Sequence, residues 1–97
     1  MPNYLYLIHT NEEYTGYDTY DSAVVCAESE EQARLIHPDG FSLFTNGRFV
    51  YKENGYVSHS SDFDGWVHPK DVQVTFVGVA AKGIQPGTVV CASYNAG

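Results

Sequence analysis

The stretch SAVVCAESEEQARLIHP, Ser22 to Pro38, changes character partway, and that change decides the fold class. Its first half, Ser22 to Glu28, is rich in β-branched and small apolar residues and reads as a strand buried on both sides or nearly so. Its second half reads as a helix. Ser29 is a good N-cap, and Gln32 three residues on closes a capping box. Glu30 and Glu31 suit the positive end of a helix, and Ala33, Leu35 and Ile36 supply a short apolar face. Pro38 pushes His37 out of helical geometry. The spacing predicts a helix over 29–37, about two to three turns long.

Upstream, NYLYLIH (Asn3 to His9) reads as a first strand. Downstream, Pro38-Asp39-Gly40 is a turn, followed by FSLFT-NG-RFVYK, the clearest local signal in the chain. Asn46-Gly47 tolerates the positive φ values of a type I′ turn, so its flanks pair as a hairpin with Phe44 opposite Phe49. A second Asn-Gly, Asn54-Gly55, suggests a third short strand at YVS, and His59 to Gly65 reads as loop. HPKD (His68 to Asp71) is one short turn with Pro69 at its start. Val72 to Ala80 suits a central strand, and Thr88 to Tyr94 a last one. The order is β-β-α-hairpin-β-β. Helix and strands are segregated, which predicts a small single α+β domain spanning residues 1–97, an antiparallel sheet with one helix across a face.

The chain has 97 residues, enough for one modest core. No apolar run is long enough to span a membrane, and the N-terminus lacks the pattern of a signal peptide. A cytoplasmic location and no membrane partner are expected. Five Lys and Arg stand against twelve Asp and Glu, for a formal net charge of −7. That repels a phosphate backbone and argues against nucleic acid as a partner. A small anion held by one or two arginines and backbone N–H groups is compatible with it. Cys26 and Cys91 each lie in a β-branched run, so both are expected to be buried and unpaired.

Catalytic signals are weak. His9, His37, His59 and His68 are scattered, without metal-ligand spacing, and no cofactor is expected. Ser58 to Asp64 holds three serines, a histidine and two aspartates but reads as an ordinary polar loop. The protein is expected not to be an enzyme. Its eight tyrosines are the informative class, since tyrosine offers a flat apolar face and a hydroxyl. Tyr14, Tyr17 and Tyr20 fall three apart, a spacing that does not suit one face of a strand. TGYDTYDS (Thr15 to Ser22) therefore reads as a ligand-facing loop, where tyrosines stack a planar ring and Asp18 and Asp21 accept from ribose hydroxyls. The bland reading is that these tyrosines pack over a sheet edge.

Three segments carry a family resemblance: GYDTYDSAVVCAESEEQARLIHP, GWVHPKDVQVTFVG and GTVVCASYNAG. They resemble a group of small proteins encoded by tailed phages and prophages. The resemblance covers both ends of the chain, and roughly Gly40 to Asp64 is more individual. It implies a genomic context, the cytoplasm of an infected bacterial host, rather than a reaction. By analogy, such accessory proteins include compact homo-oligomers that sequester the nucleotide signals of host defence, such as the cyclic ADP-ribose variants of Thoeris and the cyclic dinucleotides of CBASS. Others block a host protein, as anti-CRISPR proteins do. The expectation is a homo-oligomeric anti-defence binder of a small nucleotide-derived ligand, with the pocket at or near a subunit interface. Tyr14, Tyr17, Tyr20, Trp66, His68, Tyr94 and Asn95 would line its site, with Asp18 and Asp21 on the sugar and Arg34 and Arg48 on phosphates. The alternative is a protein-blocking inhibitor with an acidic face.

Overall fold

The computed structural model describes residues 3–10, 19–57 and 66–95. A four-stranded antiparallel sheet is built from β1 (Tyr4–Thr10), β2 (Thr19–Ala27), β5 (Val72–Val79) and β6 (Val89–Asn95), in the order β5-β1-β2-β6. A separate hairpin pairs β3 (Ser42–Thr45) with β4 (Arg48–Tyr51), and the helix α1 spans Glu30–Arg34. The α+β class and its antiparallel sheet are as expected, with little helix. Among the described residues no helix is long and apolar enough to cross a membrane.

Alternation along the strands sets the core. Tyr6 and Ile8 of β1 stand opposite Val25 and Ala23 of β2, and all four are buried. Val72 from β5, Ala33 and Ile36 from the helical segment, Phe49 from the hairpin and Trp66 complete the same cluster. The helix packs against β5, β2 and β1 through Ala33, the buried one of its five residues.

The capping box forms in a stretched version. Ser29 Oγ accepts from Gln32 N at 3.2 Å, while Gln32 Oε1 accepts from Glu28 N, one residue before the cap, at 2.7 Å. The helix itself is shorter than its sequence predicts, spanning Glu30–Arg34 with Leu35 as its C-cap rather than running to His37. The hairpin takes over the backbone that would have continued it. Phe44 N donates to Leu35 O, Ile36 bridges Leu43, and His37 N donates to Ser42 O. The Asn46-Gly47 turn has φ of 53° and 85°, as a type I′ turn requires, and Phe44 does face Phe49. The third strand after Asn54-Gly55 is reduced to a single bridge, Val50 to Val57. Pro69–Asp71 is one 3-10 turn, as read. The loop read at 59–65 lies outside the described residues, as does the polar stretch 58–64.

Two expectations are corrected. Val72–Val79 is an edge strand and not a central one, because β1 accepts both β2 and β5 as neighbours. Its continuous apolar run arises from a bulge: Tyr6 pairs with Phe76 and Leu5 with Gly78, leaving Val77 as the extra residue that interrupts alternation. Cys26 is buried, but Cys91 is exposed, since β6 is the other edge and among the described residues pairs with β2 alone. Both thiols are free. Cys26 Sγ lies 3.6 Å from Ile84 O, and burial pushes its thiol pKa up.

Candidate functional site

A second bulge builds the site. Tyr20 pairs with Tyr94 and Ser22 with Ser93, so Asp21 is the extra residue on β2. Strict alternation would put Tyr20 on the face of Ser22, away from the core. The bulge turns it back, and Tyr20 packs against the core cluster. The expected ligand loop is therefore corrected from Thr19 onward: Thr19 to Ser22 are strand. The same bulge explains why three-residue spacing did not look like a strand. Tyr14, Tyr17 and Asp18 lie outside the described residues.

From Tyr20 a series of ring contacts crosses the domain. Tyr94 and Tyr20 have centroids 4.7 Å apart at a tilt of 55°. Tyr20 meets His37 edge-on at 5.8 Å, and His37 meets Phe49 at 4.9 Å. Phe49 then contacts Phe44 at 5.2 Å, and Phe44 contacts His68 at 5.0 Å. Edge-to-face geometry at these spacings is the favoured one for aromatic rings. The series opens to solvent at Tyr94, which is 47% exposed. Its middle is closed, with His37 and Phe49 fully buried.

Beneath Tyr20 lies a polar turn. Asp39 Oδ1 accepts from Phe41 N at 2.8 Å and Ser42 N at 3.1 Å, and Asp39 Oδ2 accepts from Ser42 Oγ at 3.1 Å. Asp39 N donates to His37 Nδ1 at 3.0 Å, and Oδ2 is 3.5 Å from the same nitrogen. A ring nitrogen that accepts from a backbone N–H carries no proton, so His37 is held as the neutral Nε2–H tautomer. The Tyr20 hydroxyl is pushed above its usual pKa, first by burial and second by the Asp39 carboxylate. Serine, histidine and aspartate are thus together, but in the wrong order for nucleophilic catalysis. Ser42 Oγ donates to the carboxylate rather than to the imidazole, and both Ser42 and His37 are inaccessible.

The other candidates fall elsewhere. Arg34 braces the helix to the start of β5, with Nη1 donating to the carbonyls of Pro69 and Val72 and Nη2 3.9 Å from Glu30. His68 caps the 3-10 turn, its Nδ1 accepting from Lys70 N at 3.1 Å. Trp66 is 6% exposed and belongs to the core; its Nε1 has no hydrogen-bond partner among the described residues. A pocket wall of Tyr20 and Trp66 is corrected accordingly: Trp66 is filling the core that the hairpin and sheet enclose. Arg48 is exposed beside the hairpin turn, Asp21 is exposed on the bulge, and Asn95 pairs with Thr19 at the end of β6. Of the expected set, then, Tyr20 and Tyr94 are in direct contact, and His68 joins them only through buried rings. The sequence places His37 at the end of the predicted helix and Asp39 in the turn after it. The His-Pro-Asp-Gly pattern did mark the turn, but only the packing of β2 over it places it under Tyr20.

Comparison with known proteins found no matching family model, no matching curated protein and no matching solved structure.

Proposed function

We propose that the protein is a non-catalytic binder of a nucleotide-type small molecule, and that it sequesters an ADP-ribose-like or cyclic-nucleotide immune signal in a phage-infected bacterial cell. The cellular setting rests on the resemblance to tailed-phage accessory proteins. The ligand class rests on one observation: a tilted tyrosine pair, Tyr20 and Tyr94, that opens to solvent at the sheet edge with a rigid polar turn behind it. An adenine stacks against the solvent-exposed part of Tyr94, and the exposed Asp21 carboxylate at the adjacent bulge of β2 suits ribose hydroxyls. Arg34 is occupied by backbone carbonyls, so Arg48 is the exposed guanidinium of the expected pair. The non-catalytic reading is supported by His37 and His68, whose Nδ1 atoms both accept from turn N–H groups.

Calorimetry with ADP-ribose, cyclic ADP-ribose and cyclic dinucleotides tests the proposal, together with mass spectrometry of any molecule released on denaturation. Losing one stack costs roughly 1–3 kcal/mol, so Tyr94→Ala is expected to weaken binding by about ten- to a hundredfold. Its stability should change little, because half of the ring already faces water. If no member of the panel binds the parent and no ligand is released, the sequestering function is wrong, and the protein-blocking alternative takes its place.

A further inference from the structure

Two Asn-Gly pairs flank β4, and the structure treats them differently. Asn46-Gly47 closes the β3–β4 hairpin, with φ of 53° and 85°. Asn54-Gly55 lies in the turn that follows Tyr51. All four residues are exposed, so access to water does not separate the pairs. Hydrogen bonding does. At the second pair Gly55 N donates to Tyr51 O at 2.8 Å, and Asn54 Oδ1 accepts from Tyr56 N at 2.8 Å. At the first, neither Gly47 N nor the Asn46 carboxamide has a hydrogen-bond partner among the described residues. Charge separates them too. Arg48 directly follows Gly47, whereas Glu53 directly precedes Asn54.

We propose that Asn46 is a self-modification site, deamidating in the folded protein in preference to Asn54. The Gly47 backbone nitrogen loses its proton to hydroxide and attacks Asn46 Cγ. The new C–N bond closes a succinimide ring, and the Cγ–N bond of the carboxamide breaks, releasing ammonia. Water then opens the ring at either carbonyl, leaving aspartate or isoaspartate. The net change is one water taken up and one ammonia lost, with no oxidant or reductant. Glycine suits the step because it has no side chain to shield the attacking nitrogen. At Asn46 that nitrogen is free to lose its proton, and the neighbouring guanidinium favours the anion that results. At Asn54 the same attack first breaks two hydrogen bonds, and the Glu53 carboxylate opposes the anion. The two products differ in what they do to the hairpin. Aspartate keeps it, since Asp-Gly also suits a type I′ turn. Isoaspartate carries the main chain through one additional carbon, so it lengthens the tight loop between Thr45 and Arg48 and loosens the pairing of Phe44 with Phe49. Either product adds a negative charge beside Arg48. The site does not depend on what the protein binds.

Timed incubation of the full chain in mildly alkaline buffer, followed by trypsin digestion and mass spectrometry, tests this. Cleavage after Arg34, Arg48, Lys52 and Lys70 puts Asn46 in the peptide 35–48 and Asn54 in the peptide 53–70. The peptide 35–48 should gain the mass of an amide turned acid at least about tenfold faster than 53–70, since two hydrogen bonds protect Asn54. It should also split into two chromatographic products, aspartate and isoaspartate. In urea at high salt neither those hydrogen bonds nor the flanking charges act, so the two pairs should react at nearly equal rates. Equal rates in the native protein, faster reaction at Asn54, or a native difference that urea leaves unchanged would each overturn the inference. So would a native Asn46 that stays intact while the unfolded chain reacts. A single aspartate product overturns it equally, because that outcome means direct hydrolysis without Gly47.

Discussion

Asp39 is the residue on which the turn beneath Tyr20 depends, and its removal has a calculable cost. Three hydrogen bonds to the carboxylate come from its own turn, two of them from Ser42, which is fully buried. Phe41 is exposed, so water replaces the carboxylate at Phe41 N when the side chain is truncated. Water has no such access to Ser42 N and Oγ. A buried donor left without its acceptor costs about 1–3 kcal/mol, and two that share one acceptor are not additive, which puts Asp39→Ala at about 3 kcal/mol. In a domain of this size that lowers the melting temperature by more than about 10 °C. Asp39→Asn keeps Oδ1 as acceptor for both backbone N–H groups, and its amide can donate to the Ser42 hydroxyl, so it should cost about 1 kcal/mol or less. Urea unfolding followed by far-UV circular dichroism measures both variants, and combining each with Ser42→Ala measures the coupling directly. If Asp39→Ala lies within 1 kcal/mol of the parent, or the alanine and asparagine variants are equally stable, then the carboxylate is not what holds this turn.

Alkaline pH should destabilise the fold through two groups. The Tyr20 hydroxyl and the Cys26 thiol are both neutral when protonated and both have raised pKa values in the folded protein, so their contribution is fully present below the ordinary values of 10.0 and 9.0 and is lost as pH rises past them. Unfolding free energy measured from pH 7 to 11 should be level at first and then fall, and Tyr20→Phe and Cys26→Ala should each remove part of the slope. The thiols should also separate kinetically. In dilute native protein a chromogenic disulfide reagent should titrate Cys91 at once and Cys26 only on unfolding. Simultaneous reaction of both would contradict the burial of Cys26 against Ile84.

Local chemistry determined much of this molecule. Ser29 with Gln32 marks the start of the helix, Asn46-Gly47 closes a hairpin whose register puts Phe44 opposite Phe49, and Pro69 begins a one-turn helix. Each of these depends on backbone preferences within four or five residues, so a single stretch of chain carries the whole signal. Strand existence was legible for the same reason, from alternation and β-branched composition. Which strands lie inside was not. Val72–Val79 and Val89–Asn95 look as apolar as any central strand, yet they are the two edges, because a strand's neighbours are chosen by pairing across long separations. That choice leaves Cys91 on an edge strand, while Cys26 is buried where the Ile84–Thr88 segment packs against β2. The helix stopped early because the β3 backbone competed for its carbonyl groups, and no residue inside the helix announces that competition. Tyr20 reached the core face only through the bulge at Asp21, and His37 became buried only when Phe49 and Tyr20 closed over it. Side-chain identity wrote the elements; the contacts that aim Tyr20 and bury His37 exist only once the strands have chosen their order.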